Sequence, residues 1–271
     1  MNKERHETHT ELDEHTRFLP VQTRRLKLKR PLLIAGFPDS GLIGSVTVNH
    51  VIEQLKMHQI GYIESQHVMP AAIFIGKRFR HPFRIYANDS GTVCALICEV
   101  PVNARGIYTI INTIVDWCLN SLVSEVIVLG GILPSNFSPP YILERKAMLL
   151  RNTLVEKPDS QEIRGEDLGL AVPDDAVIIG LAGSLLSACA ARSIGCSALM
   201  IPTMAESADP EGAAIVLEAL PKIAPDLRID TSSLRERVEI IKKHLEEFLK
   251  MHEQQRHEYD RPGRETETIY K

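Results

Sequence analysis

Leu32-Leu33-Ile34-Ala35-Gly36-Phe37-Pro38-Asp39-Ser40-Gly41-Leu42-Ile43-Gly44 is the stretch that decides how this chain folds. Four consecutive apolar residues closed by a glycine suit a short strand buried on both faces. Phe37 to Gly41 then reads as a turn. Residues 42–54 read as a buried helix running on to Gln54, with Ser40 capping its start. A buried strand that turns at once into a buried helix is the opening unit of an α/β domain.

The pattern continues outward from there. Residues 60–63, 71–75, 83–86 and 92–99 read as strands, with Asp89-Ser90-Gly91 as a hairpin turn before the last of them. Residues 104–122 carry apolar side chains at 107, 110, 111, 114, 115, 118 and 122, the stripe of an amphipathic helix. A strand over 125–129 ends at Gly130-Gly131, and further strands are expected over 147–155, 177–179 and 198–201. Gly183 and Ser184 open a helix over 185–192, and Pro210 starts another that continues through 213–220. The fold class is therefore α/β, a mixed sheet flanked by helices, over residues 31–230.

Three further segments complete the organisation. Residues 1–30 are polar and read as a disordered extension, although Arg24 to Arg30 alternates Leu26 and Leu28 with basic residues in the manner of an edge strand. Residues 231–257 read as a long C-terminal helix, with Leu234, Val238, Ile241, Leu245 and Phe248 at four- and three-residue steps. Residues 258–271 form a polar, flexible tail containing Pro262 and Gly263.

Composition narrows the function classes. With 44% hydrophobic and 24% charged residues, the chain has the balance of one that folds around a core. A net charge of −4 gives no field to attract nucleic acid, and no apolar run is long enough to span a membrane. The five cysteines form no Cys-x-x-Cys pair and sit in apolar contexts, as core side chains of a cytoplasmic protein would. His6, His9 and His15 among the N-terminal carboxylates have nothing to fix a ligand geometry, so no metal site is expected.

The chemical inventory is thin. The turn with Gly36, Asp39, Ser40, Gly41 and Gly44 is the one place where backbone N–H groups at a helix start could cradle a ligand. It lacks the Gly-Lys-Ser/Thr of a P-loop and the Gly-x-Gly-x-x-Gly of a dinucleotide turn, and Asp39 would repel a phosphate. Close packing of helix on sheet explains the glycines better than ligand binding does. Ser184 has no Gly-x-Ser-x-Gly frame, and Glu99, Glu206 and Asp209 are single carboxylates near strand ends. No catalytic residue and no cofactor is expected.

The sharpest feature is Ile269-Tyr270-Lys271 at the end of the tail. A terminal carboxylate, a penultimate aromatic hydroxyl and an apolar residue make a compact ligand for a preformed pocket. Together with residues 36–44, Gly180-Leu181-Ala182-Gly183 and Asp209-Pro210-Glu211-Gly212-Ala213-Ala214, this tail resembles the archaeal relatives of the second eukaryotic proteasome assembly chaperone, in their tailed branch. The resemblance implies a nucleoside-phosphorylase-like fold, self-assembly with a tetramer as first guess, and a cytoplasmic, non-enzymatic chaperone or ATP-independent activator. It implies as partner the α-subunits of the proteasome core particle, bound through Ile269, Tyr270 and Lys271, with neither nucleic acid nor membrane involved. The alternative is a nucleotide- or nucleoside-binding enzyme that uses the turn at 36–44.

Overall fold

The computed structural model of the 271-residue chain describes residues 16–21, 26–75, 77–136, 145–152, 165–205, 208–227 and 229–230. In chain order the elements are β1 (Thr16–Pro20), β2 (Leu32–Gly36), α1 (Ile43–Gln54), β3 (His58–Ser65), β4 (Ile73–Ile75) and β5 (Arg78–Arg80). They continue with β6 (Phe83–Ala87), β7 (Val93–Cys98), α2 (Ile107–Asn120), β8 (Glu125–Ile132) and β9 (Met148–Arg151). The last are α3 (Gly180–Ala191), β10 (Cys196–Pro202) and α4 (Pro210–Ile223).

Among the described residues the main sheet runs β1-β3-β6-β7-β2-β8-β10-β9. The four central strands β7, β2, β8 and β10 are parallel, and the outer strands are antiparallel to their neighbours. Parallel strands need crossovers, and these place helices on both faces. Leu33 and Ala35 of β2 point into the apolar layer shared with α2 and α3, whereas Ile34 points into the layer shared with α1 and α4. The two-residue alternation of a strand thus sorts one continuous apolar run onto two cores. The expected mixed sheet flanked by helices is what forms.

Several local expectations are corrected. Thr16–Pro20 is an edge strand paired with β3 rather than part of a disordered extension. Its anchor is Phe18, whose ring lies where a Cβ on Gly61 would stand and packs 6.0 Å from the Trp117 ring. Residues 26–30 form no strand. They lie along the β6–β7 turn, with the Lys29 N–H donating to the Gly91 carbonyl at 2.8 Å. Ile73–Ile75 leaves the main sheet and pairs with β5 in a separate hairpin. Residues 177–179 are not a strand: Val177 and Ile179 are 62% and 68% exposed, and α3 begins at Gly180, earlier than Gly183. The expected C-terminal helix and tail lie outside the described residues, as do Glu206 and most of the N-terminal extension.

Helix α2 buries Ile110, Ile111, Ile114, Val115 and Cys118, five positions of the expected stripe. Helix α1 is buried almost throughout, with β2, β7 and β8 beneath it and α4 packed alongside it on the same face of the sheet. All five cysteines are buried and free. Burial pushes the thiols of Cys94 and Cys98 up to about 12, so both stay protonated and act as apolar side chains.

Candidate functional site

The turn between β2 and α1 sits at the carboxyl ends of the parallel strands. Gly36 and Gly44 let α1 descend onto the sheet: a Cβ on Gly36 would stand 2.1 Å from the Gly44 carbonyl oxygen, and one on Gly44 would stand 2.7 Å from that of Leu129. Gly41 has φ +68°, and a Cβ there would lie 2.9 Å from the Cβ of Asp209. Helix–sheet packing therefore accounts for Gly36 and Gly44, and the left-handed turn packed on Asp209 accounts for Gly41.

Asp39 supplies the cap that the sequence reading assigned to Ser40. The Gly44 N–H donates to its Oδ1 at 3.1 Å, satisfying a first-turn group of α1. The Gly131 N–H of β8 donates to Oδ2 at 2.7 Å. One carboxyl group thus holds the helix start and the neighbouring strand end together. Asp39 is half-buried and borders an adjoining cavity. Burial pushes its pKa up to about 8, against the downward pull of the Gly44 and Gly131 N–H groups.

Asp209 performs the matching task on α4. Its Oδ1 accepts the Gly212 N–H at 2.9 Å, and its Oδ2 accepts the Thr203 hydroxyl at 2.8 Å and a close hydrogen bond from Arg145. The Asp209 N–H donates to the Gly41 carbonyl at 2.8 Å, which joins the two capped turns. The first turns of α1 and α4 are thus each capped by a side-chain carboxyl group of the chain itself. The N–H groups of Gly44 and Gly131 are already engaged by Asp39.

A cavity of about 300 Å³ opens beside Asp39, lined by Phe37, Ser40, Leu133, Asn136 and Ile179 among others. β2 leads to α1 on one face, and α3, whose start lines the cavity, lies on the other. The cavity lies in this crevice, the position where open α/β sheets accommodate ligands. Its lining is mainly apolar, and among the described residues that line it there is no cation.

A buried ionic cluster that the sequence reading missed lies one strand away. Arg84 of β6 is fully buried and pairs with Glu99 at 2.6 Å. The Asn49 amide of α1 donates to Glu99 Oε1 at 2.7 Å, and Arg84 Nε donates to the Tyr86 hydroxyl at 2.9 Å. Burial alone would lower the guanidinium pKa, but Glu99 and Tyr86 outweigh it and raise it. The arginine within the otherwise apolar Phe83-Arg84-Ile85 was the available signal. Its contacts tie β6, the end of β7 and α1 together, while one buried guanidinium nitrogen, Arg84 Nη2, has no hydrogen-bond partner among the described residues.

The structure thus brings Gly36, Asp39, Ser40, Gly41 and Gly44 together in one turn, while Ile269, Tyr270 and Lys271 lie outside the described residues. The molecule is a doubly covered α/β sheet whose central turn is built for packing, beside a small crevice. The chain belongs to the PAC2 family, which it matches over residues 33–249. It is similar to a Thermoplasma acidophilum protein of unknown function, with 30% identity, a TM-score of 0.74, and coverage of 87% of this chain and 92% of that one. It is also similar in fold to Pyrococcus furiosus PbaA, an archaeal homolog of proteasome-assembly chaperone, at 22% identity and a TM-score of 0.72 over 89% of this chain and 100% of that one. A third similar structure is Pyrococcus furiosus PbaB, an archaeal proteasome activator, at 22% identity and a TM-score of 0.65 over 89% and 99%.

Proposed function

We propose that this protein binds the proteasome core particle, as an assembly chaperone or an ATP-independent activator, and that it does so without catalysing a reaction. The observation that carries the reading is membership of the PAC2 family together with a fold shared with PbaA and PbaB. The engagement of the turn at 36–44 by Asp39 supports a binding protein over a nucleotide-dependent enzyme.

In this reading Ile269-Tyr270-Lys271 docks between α-subunits. The Lys271 carboxylate pairs with a basic residue, the Tyr270 hydroxyl hydrogen-bonds, and Ile269 fills an apolar niche. The helix proposed over 231–257, the kinship to nucleoside phosphorylases, self-assembly and a cytoplasmic location belong to the same reading. Among the described residues no helix is long and apolar enough to cross a membrane. The test is a pull-down with purified archaeal core particle, comparing the full chain with one lacking residues 269–271. Capture of the full chain and loss with the truncated one is the expected result. Equal capture of both removes the tail from the account, and capture of neither removes the proteasome.

A further inference from the structure

The cavity beside Asp39 has apolar walls, to which Phe37, Leu133 and Met200 contribute, and its polar side chains are Asp39, Ser40 and Asn136. Its volume of about 300 Å³ lies at the small end of the range for ligand sites. The Asp39 carboxyl group lies close against β8, where a Cβ on Gly130 would stand 2.2 Å from Oδ2. It accepts the N–H groups of Gly44 and Gly131, and a carboxylate with about four lone-pair sites has capacity for further donors.

Asp39 is the one ionisable residue among those described that line this cavity. The parts of α1, β8, β10 and α3 that surround it supply Ile43, Gly44, Gly130, Gly131, Met200 and Leu181, none of which carries a charge. Beyond Gly41, Asp209 is already paired with Arg145. Burial without a counter-charge is what pushes the Asp39 pKa up to about 8, so at neutral pH the folded chain keeps a proton there. A phosphate finds no cation in this lining. A hard metal ion needs several oxygen ligands, and among the described residues no three His, Cys, Asp or Glu side chains stand together to hold one.

We propose that this cavity binds a small organic amine as its ammonium ion, with the Asp39 carboxylate as counter-charge and the apolar walls around the amine's stem. An ammonium group has three N–H donors, and the Ser40 hydroxyl and the Asn136 side-chain carbonyl are further acceptors in the same lining. The positive charge of the ligand takes the place of the proton on Asp39, so the amine enters and a proton leaves. An alkylamine, with a pKa of about 10, stays charged across the neutral range. Below about pH 8 binding must displace the Asp39 proton, so affinity rises with pH and levels off above that point. The inference does not rest on the docking of residues 269–271 and leaves the proteasome reading as it stands.

The test is isothermal titration calorimetry of the full chain with 2-phenylethylamine, the neutral 2-phenylethanol and the anionic phenylacetate. The amine should bind saturably, about tenfold or more tighter than the alcohol at pH 8, with phenylacetate the weakest of the three. Its dissociation constant should fall roughly tenfold between pH 6 and pH 7, and buffers of different ionisation enthalpy should show about one proton released per amine bound at pH 6. Asp39→Asn keeps an acceptor oxygen without the charge, and should lose both the preference for the amine and the dependence on pH. The ligand series and pH series on the parent decide the matter even where that variant does not fold. Nα-acetyl-lysine amide carries the same ammonium on a peptide: weaker binding than the free amine supports a small-molecule site, and tighter binding overturns it in favour of a partner's lysine side chain. Equal affinity for amine and alcohol, affinity independent of pH, retention of amine binding in Asp39→Asn, or no heat with the amine at millimolar concentration also overturns the proposal.

Discussion

The Asp39 carboxyl group accepts the backbone N–H of Gly131 at 2.7 Å, across 92 residues of chain, while also accepting that of Gly44 at 3.1 Å. A single short side chain therefore fixes α1 to the end of β8. Removing it by Asp39→Ala leaves two partly buried N–H groups without their acceptor. The expected loss is about 1–3 kcal/mol in urea unfolding, the range for lost caps and unsatisfied buried groups. An unchanged midpoint would show that the clamp is not needed.

The same residue predicts a dependence on pH. Its pKa is raised from 3.8 to about 8 by burial, so the folded state holds a proton that the unfolded state releases. The stabilising contribution is fully present below about pH 4 and declines as pH rises towards 8. Within that window the slope is at most ~1.4 kcal/mol per pH unit. Asp39→Asn keeps an acceptor oxygen and cannot ionise, so it should flatten this part of the stability profile. Parallel profiles for the two proteins between pH 5 and pH 8 would contradict the prediction.

Gly41→Val should lower the melting temperature. The site has φ +68°, and the new Cβ would press on Asp209 at 2.9 Å. Overpacking of this kind costs about 1–3 kcal/mol, with roughly 1–2 more for the left-handed backbone. The parent protein should show no thermal shift with nucleotides. A nucleotide at 100 times its dissociation constant would stabilise the fold by about 2.7 kcal/mol, so a specific, saturable shift would instead favour the enzyme alternative.

The buried pair of Arg84 and Glu99 gives a double-mutant test. Arg84→Met alone leaves Glu99 charged in the core and should cost about 3–5 kcal/mol. Adding Glu99→Gln removes the stranded charge and should recover part of that loss in denaturant unfolding. A double variant as unstable as the sum of the two single ones would mean that the residues act independently.

Elements in which local pattern and tertiary packing agree were legible in the sequence. The apolar run at 32–35 closed by Gly36 could be little but a central strand, and the stripe of α2 fixed its buried face. What escaped depended on contacts distant in sequence. Phe18 makes an edge strand out of a polar terminus because Gly61 leaves space for its ring. The apolar residues Val177 and Ile179 look like a strand, yet among the described residues neither pairs with a strand and both face solvent. The capping role passed from Ser40 to Asp39 because Gly131 approaches from another strand, a proximity that no local spacing encodes. The sequence reads the glycines of the 36–44 turn as packing residues because a P-loop requires a lysine that is not there, and the close contacts that a Cβ on Gly36 or Gly44 would meet agree with that reading.

The central claim is that Ile269-Tyr270-Lys271 docks on the proteasome core particle, and surface plasmon resonance on immobilised archaeal core particle tests it most directly. Lys271→Ala should be mild, because the residue contributes its carboxylate rather than its ammonium group. Tyr270→Ala should cost about 2 kcal/mol or more, the scale of a buried aromatic anchor, and avidity in a multimer would steepen the loss. The decisive comparison is the parent against a protein extended beyond Lys271, which moves the carboxylate away from its pocket. The account predicts that the extension weakens binding as much as Tyr270→Ala does, and an extended protein that binds as tightly as the parent would contradict it.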